Sequence, residues 1–323
     1  MPISALHIEG WALDLIYKIF LDPFAQMAAA PDLLVQTLWE GLVGGVLYAL
    51  IALGFVLIFK ASGVFNFAQG VMVLFAALTL VGLLERGWPV PLAIGATVLV
   101  MLALAIAIER VVLRPLVNQE HIILFMATIG LNFFLEGLGE MVWGANVKKL
   151  DIGIPDESFK IAGILINKLE MIAAATAAVL VAVLAVFFQK TRIGRALRAV
   201  ADDHEAALSL GIPLRTIWVV VWATAGLVAI VAGIMWGAKS GVQFSLSLIA
   251  LKALPVLILG GFTSVPGAIV GGVIIGVGEK LAEVYWGPLV GGAIENWFAY
   301  VLALAFLLVR PQGLFGERII ERV

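Results

Sequence analysis

Ala61-Ser62-Gly63-Val64-Phe65-Asn66-Phe67-Ala68-Gln69-Gly70 stands between two apolar runs and interrupts what would otherwise read as continuous hydrophobic helix. A helix that crosses a bilayer needs about 20 apolar residues. Residues 41–59 before the break meet that length, whereas 71–85 after it do not. Gly63, Gly70, Asn66 and Gln69 therefore fall at membrane depth. Non-helical backbone is tolerated there only inside protein or beside a water-filled cavity, because lipid offers no hydrogen-bond partners. A second interruption, Gly260-Gly261-Phe262-Thr263-Ser264-Val265-Pro266-Gly267, follows another segment too short to cross alone, 248–262. Paired breaks of this kind point to a transport pathway. The second also has the composition of a plain turn.

Outward from these breaks, further spans are expected at 90–113, 122–143, 171–189, 217–237, 267–284 and 293–309. The chain is 63% hydrophobic and only 13% charged, far from the ordinary soluble balance. The fold class expected is all-α, a polytopic transmembrane helical bundle with broken or re-entrant segments. Its 34 glycines suit helices packed closely in lipid. Residues 1–40 differ: Trp11, Leu15, Ile16, Ile19 and Phe20 recur at helical spacing, interrupted by Glu9, Asp14, Lys18 and Asp22. They are read as an amphipathic extension lying in the interface, or else as a loosely ordered leader. No signal peptide is expected, since a basic n-region and a long apolar h-region are both missing. The transmembrane domain is placed at 41–316, and 317–323 as a tail.

Orientation follows from short basic loops. Lys190, Arg192, Arg195, Arg198 and Arg215 mark the loop at 190–216, Arg110 and Arg114 another, and Arg310, Arg318 and Arg322 the end of the chain. All three sets face the cytoplasm if 122–143 runs outward. The C-terminus is then inside, and counting backwards puts the N-terminus outside, unless the broken segment near 60–70 adds a crossing. The 190–216 loop holds Asp202, Asp203 and Glu205-Ala206-Ala207-Leu208-Ser209-Leu210-Gly211. A polar, helix-forming loop between two spans suggests a docking surface. Gly211 fits a helix C-terminal cap, and Pro213 stops continuation.

Within the spans, Thr128, Asn132, Glu136 and Glu140 recur every four residues and are expected to share one helical face. Phe65, Asn66, Phe67, Gln69, Thr128 and Asn132 are the candidates for lining a path, with Phe65 and Phe67 as gates. Lys252 and Glu295 are further ionisable residues in apolar surroundings, each readable as a snorkelling side chain.

Enzymatic readings find no support. The sequence holds no phosphate loop ending in Gly-Lys-Ser/Thr, no Gly-x-Ser-x-Gly elbow and no His-Glu-x-x-His helix. His7, His121 and His204 have no metal-ligand spacing, and there is no cysteine. A net charge of −2 gives no nucleic-acid signature. No catalytic residue, metal or cofactor is expected on this chain.

Five motifs in order resemble the permeases of branched-chain amino-acid ABC importers, the LivH type. They are Leu47–Gly54 with Asn66–Gly70; Ile108-Glu109-Arg110-Val111 with Leu113-Arg114-Pro115-Leu116; Thr191–Ala199 leading to Glu205-Ala206-Ala207 and Gly211-Ile212; Leu259-Gly260-Gly261 with Ser264–Ala268; and Arg310–Gly316. The resemblance covers residues 37–316. It implies a second homologous permease, two cytoplasmic ATPases that bind ATP and Mg2+, an extracytoplasmic binding protein, and residence in the cell membrane. It also implies that Arg195, Arg198, Asp202, Asp203, Glu205, Ala206, Ala207 and Gly211 couple the permease to an ATPase. Gly63, Gly70, Gly260, Gly261, Pro266 and Gly267 would form the structural breaks. The cargo implied is branched-chain or related hydrophobic amino acids; members of the family also carry urea, amides or aromatic and aliphatic carboxylates. Histidine is frequent in the family where Gln69 stands, and the N-terminal extension is not part of the usual pattern. A stand-alone secondary transporter would show similar breaks, but should carry a coupling carboxylate near the midplane, for which Glu136 is the one candidate.

Overall fold

The computed structural model describes residues 14, 16–116, 119–155, 157–161, 163–202, 207 and 209–316, with the backbone alone at 202. Among them, six helices are long and apolar enough to cross a membrane. After a short helix α1 (Asp22–Ala29), these are α2 (Pro31–Ser62), α4 (Val90–Ala107), α5 (His121–Trp143), α6 (Lys168–Lys190), α8 (Leu214–Ser240) and α10 (Val265–Tyr285). Helix α4 runs on through a π-turn at Ile108–Leu113. The shorter helices are α3 (Gln69–Glu85), α7 (Arg192–Asp202), α9 (Leu254–Gly260) and α11 (Phe298–Val309). The class is all-α and polytopic, with one two-stranded hairpin, β1 (Ser158–Ile161) and β2 (Ile164–Asn167), before α6.

Of the segments read as too short to cross, 71–85 is the short helix α3 after the first break, and 248–262 is a single helical turn at Ile249–Lys252 and α9, ahead of the second. Two boundaries differ from the hydropathy reading. Helix α2 starts at Pro31, ten residues before 41, because Pro31 and Asp32 suit a helix start and the polar Gln36, Thr37 and Glu40 form local bonds. The last span is shorter than 293–309. Gly291, Gly292 and Ala293 all take positive φ, and the Glu283 carboxylate accepts from Ala293 and Glu295 N–H at 3.1 and 3.0 Å, which fixes a non-helical turn.

Helices α2 and α3 form the centre and are buried on all sides from Leu47 to Ile58 and from Gln69 to Leu83. Uniform burial explains why neither shows an amphipathic stripe. Helix α8 packs on α2, α3 and α4, and α10 packs on α2. The α2–α10 contact is backbone against backbone. A Cβ added at Gly45 would stand 2.6 Å from Gly272 O, and one at Gly276 only 2.3 Å from Gly45 N. Gly41, Gly45, Gly272 and Gly276 thus form facing small-residue repeats of four, the packing lipid favours where no hydrophobic force joins helices. Helices α4, α5 and α6 instead carry exposed Leu99, Phe133, Phe134 and Val183 on their outer faces.

Contacts sort the connections to two ends. At one end Lys60 Nζ donates to Thr263 O, Trp218 Nε1 to Ala61 O, and the chain after α11 returns to α9 through Leu314 N–H to Leu259 O at 2.8 Å. At the other, Glu85 pairs with Lys148, Lys148 bridges Val242, Lys239 pairs with Glu170, and Trp286 Nε1 donates to Ile19 O. Residues 16–29 and the 310–316 segment therefore lie at opposite ends. Phe20, Leu21 and Phe24 of this N-terminal part are exposed. Trp11, Leu15 and the 317–323 tail lie outside the described residues.

Candidate functional site

The first break is held by its own polar residues. Helix α2 ends at Gly63, whose φ of 68° and N–H to Phe59 O at 2.7 Å make a left-handed cap. Asn66 Oδ1 accepts from Ala68 N–H at 3.1 Å, and its amide faces Gln69 Oε1 at 3.5 Å. Gln69 Nε2 donates to Ala225 O on α8 at 3.4 Å, and Thr128 Oγ1 accepts from Phe67 N–H at 3.1 Å. Asn66 and Gln69 are 0% exposed and Thr128 is 3% exposed. Within this subunit they satisfy a kink's backbone and face no groove. Phe65 stacks on Phe55 at 4.7 Å, while Phe67 keeps 36% of its surface exposed. Replacing Thr128 by Val leaves the Phe67 N–H unpaired, so a loss of about 1–3 kcal/mol in stability is expected by thermal unfolding in detergent.

The expected polar face of α5 does not hold together. Only Thr128 is buried; Asn132 and Glu136 are half-buried and Glu140 is exposed. Four-residue steps advance about 40° beyond a full turn, so three steps swing Glu140 about 120° from Thr128. Leu131, Leu135 and Gly139 point inward instead.

The second break lies at the end of the bundle, beside the 190–216 loop. Ser264 caps α10 by accepting from Gly267 N–H at 3.0 Å, and Pro266 sits in its first turn. Gly260 and Gly267 touch through their backbones, leaving no room for a Cβ on either, and Gly313 and Gly316 close on Gly261. The turn reading holds here. Above it, a cavity of about 190 Å3 is lined by Leu57, Lys60, Gln189, Arg198, Thr263 and Phe315.

Helix α7 is strongly amphipathic, with Leu197 and Val200 buried against the bundle. Arg198 donates to Phe188 O at 2.6 Å and to Gln189 O at 3.3 Å, and Arg195 to Lys190 O at 3.2 Å. Both guanidinium groups thus cap the C-terminus of α6. Further on, Gly211 has φ 76° and Ile212 N–H donates to Ala207 O at 3.0 Å, the six-to-one bond of a Schellman turn. The expected cap at Gly211 is present. Ala207 is buried and Leu210 is 79% exposed. Asp203, Glu205 and Ala206 lie outside the described residues, as does the Asp202 side chain.

A third cluster went unread in the sequence. Lys252 Nζ lies 3.7 Å from Glu279 Oε1, with side-chain exposures of 29% and 4%. Tyr48 stands beside Glu279 and stacks on Trp236 at 6.0 Å. Nearer the end, Lys280 Nζ donates to Glu295 at 2.9 Å. Lys252 and Glu295 were noted singly; their partners, Glu279 and Lys280, were not. The available signal was three ionisable residues, Glu279, Lys280 and Glu283, inside one apparent span. The hydrogen bond from Lys280 holds the Glu295 carboxyl below its usual 4.5. Its folded value being depressed, the pair's contribution is complete above about pH 4.5 and fades as pH falls through the folded value. The thermal-stability advantage over Glu295→Gln is expected to be under about 1 kcal/mol for so exposed a pair, and to be lost once the pH lies below the folded value.

Among the described residues, six helices long and apolar enough to cross a membrane, shorter apolar helices beside two breaks, and an amphipathic helix on the connection between two of the long ones together have the build of a membrane permease. A family model described as "Branched-chain amino acid transport system / permease component" matches residues 37–310. The chain belongs to this family of ABC-transporter permeases. It is 30% identical over 308 residues to the branched-chain amino acid permease BraD of Pseudomonas aeruginosa, covering 90% of this chain and 98% of that one. Against LivH of Escherichia coli the identity is 28% over 313 residues, covering 90% and 97%. A probable LivH of Methanocaldococcus jannaschii is 28% identical over 311 residues, covering 88% and 95%.

Proposed function

We propose that this chain is one of two homologous permeases in an importer that carries branched-chain amino acids across the cell membrane. Two cytoplasmic ATPases, which bind the ATP and Mg2+, drive it, and an extracytoplasmic binding protein loads it. The C-terminal end, with the loop at 190–216, faces the cytoplasm. The observation that carries the reading is the α7 loop: Leu197, Val200 and Ala207 bury one face of it, while Leu210 projects from a Gly211-capped turn. A lever needs this combination, firm attachment to α6 and α8 together with an apolar contact offered outward. Arg195 and Arg198 serve the coupling by fixing α7 to α6, and Asp202, Asp203, Glu205 and Ala206 meet the ATPase directly. ATP-driven closure of the ATPases pushes this loop and switches the permease pair from outward- to inward-facing.

In that motion the 61–70 break acts as a hinge. Asn66, Gln69 and Thr128 hold its closed form, and Phe67 and Asn132, which keep accessible surface, are the members of this group that reach the path. Residues 16–29 lie along the outer interface.

Gentle purification of the tagged chain from its native membrane, followed by mass spectrometry, tests the assembly. Two ATPase polypeptides and a second permease are the expected companions. A chain recovered alone that transports in liposomes without ATP would overturn the reading in favour of a secondary carrier.

A further inference from the structure

The stretch from Val242 to Leu254 has a geometry that lipid does not allow. It leaves α8 at the outer end, where Val242 and Lys148 exchange two backbone hydrogen bonds of 2.8 and 3.0 Å. Five residues later Ser247 is already beside Gly70, whose added Cβ would lie 2.1 Å from Ser247 O. Gly70 adjoins Gln69, whose amide touches Gly54, eight residues or about 12 Å inside the end of α2. The chain thus drops to mid-depth by extended backbone and a 3-10 turn at Phe244–Leu248, makes a single helical turn at Ile249–Lys252, and only then enters α9. Pro255 prevents these pieces from joining, since it has no N–H to offer Leu251 and its ring crowds that carbonyl.

One flank of this stretch is sealed: Val242, Leu246, Ala250 and Ala253 are each at most 5% exposed. The other is open, with Ser245 exposed, Leu248 58% exposed and Lys252 half-buried. Irregular backbone and an ammonium group on an open flank at mid-depth are excluded from hydrocarbon. They require water or another protein. An aqueous path running beside a second permease supplies both. Behind the open flank, Glu279 is 3% exposed and its Oε1 has no hydrogen-bond partner, with Lys252 Nζ at 3.7 Å as its nearest cation.

We infer that the open flank of residues 243–254 is a wall of the translocation path, and that Lys252 and Glu279 form a contact there for the α-carboxylate and α-ammonium of a zwitterionic amino acid. The inference rests on the reading of this chain as an importer permease. While the path is empty the two charges neutralise one another, so neither is left bare. A passing zwitterion offers each charge a partner of opposite sign, its ammonium reaching the unsatisfied Glu279 oxygen and its carboxylate Lys252. A neutral amide or urea brings no charge to the pair, and a simple carboxylate meets Lys252 but is repelled by Glu279. Leu248 and Ile249 beside Lys252 suit an apolar side chain.

Because the chain has no cysteine, a single introduced thiol is the only one on this subunit, and labelling is read on this subunit alone. In the assembled complex in membranes, Ser245→Cys and Leu248→Cys are expected to react with a membrane-impermeant, charged thiol reagent at least about tenfold faster than Leu99→Cys or Val183→Cys on the outer faces of α4 and α6, since the thiolate reacts only where water reaches it. Equal rates would overturn the wall. In proteoliposomes holding both permeases, the ATPases and the binding protein, the double variant Lys252→Met with Glu279→Leu leaves no bare charge and should fold. Uptake of L-leucine should nevertheless fall about tenfold or more, with binding-protein-stimulated ATP hydrolysis retained. Leucine uptake near the wild-type rate in that variant would overturn the zwitterion contact. A wild-type complex that hydrolyses ATP but imports no leucine would overturn the cargo reading instead, leaving the thiol rates to decide on the wall.

Discussion

Gly276→Leu is expected to leave little folded subunit. A side chain there begins 2.3 Å from Gly45 N and 2.5 Å from Gly41 O, and neither backbone atom can turn aside as a side chain would. Helices α2 and α10 must separate, and α2 is also the helix on which α6 and α8 pack. Overpacking of a core costs about 1–3 kcal/mol, and a backbone clash at the principal helix–helix contact belongs at or above the top of that range. Size-exclusion chromatography and thermal unfolding in mild detergent would show aggregation or a large fall in Tm, with a smaller effect for Gly276→Ala. The control is Gly44→Ala, one position from Gly45, where an added Cβ meets nothing within 4 Å. That change should be neutral or slightly stabilising, since alanine favours the helix by about 1 kcal/mol over glycine. A Gly276→Leu subunit with wild-type Tm would show that the small-residue contact does not set the fold.

Leu210→Glu should leave the subunit intact and disable the machine. Leu210 is 79% exposed, and Gly211 after it already supplies the turn, so the folded state loses nothing by the change. A docking ATPase would instead have to bury a carboxylate where it met an apolar side chain. A central apolar contact in an interface is worth about 2 kcal/mol, which corresponds to a fall in transport of more than about tenfold. The expected pattern is normal expression and Tm, lost stimulation of ATP hydrolysis, and lost uptake in reconstituted vesicles. Uptake within about twofold of wild type, a difference of only about 0.4 kcal/mol, would remove Leu210 from the coupling contact.

Much of the architecture was legible because membrane burial follows composition. Residues 41–59, 122–143, 171–189 and 217–237 were found as spans, since an apolar run of sufficient length has one stable place. The shortness of 71–85 and 248–262 marked the broken helices for the same reason. Gly211 and Pro213 marked the end of the loop helix by local conformational preference alone. The face of α5 failed because a four-residue rule was carried over three turns, where its angular error accumulates. The start of α2 failed because the polar Gln36, Thr37 and Glu40 lower a hydropathy window without breaking a helix. Asn66 and Gln69 were legible as polar residues at a break, but their partners were not: hydrogen bonds to Ala68 and Ala225 make them props of the kink.

By itself the sequence determined that this is a polytopic α-helical membrane protein and where its chain breaks, because these depend on local composition and on turn chemistry; the permease family followed from the order of its motifs. Only the tertiary structure decided which glycines let helices touch and which arginines cap α6. It also decided that Lys252 meets Glu279 and that the flank of 243–254 stands open. Each of these joins residues far apart in the chain, and the physical quantity that selects them is distance in space, which no local pattern encodes.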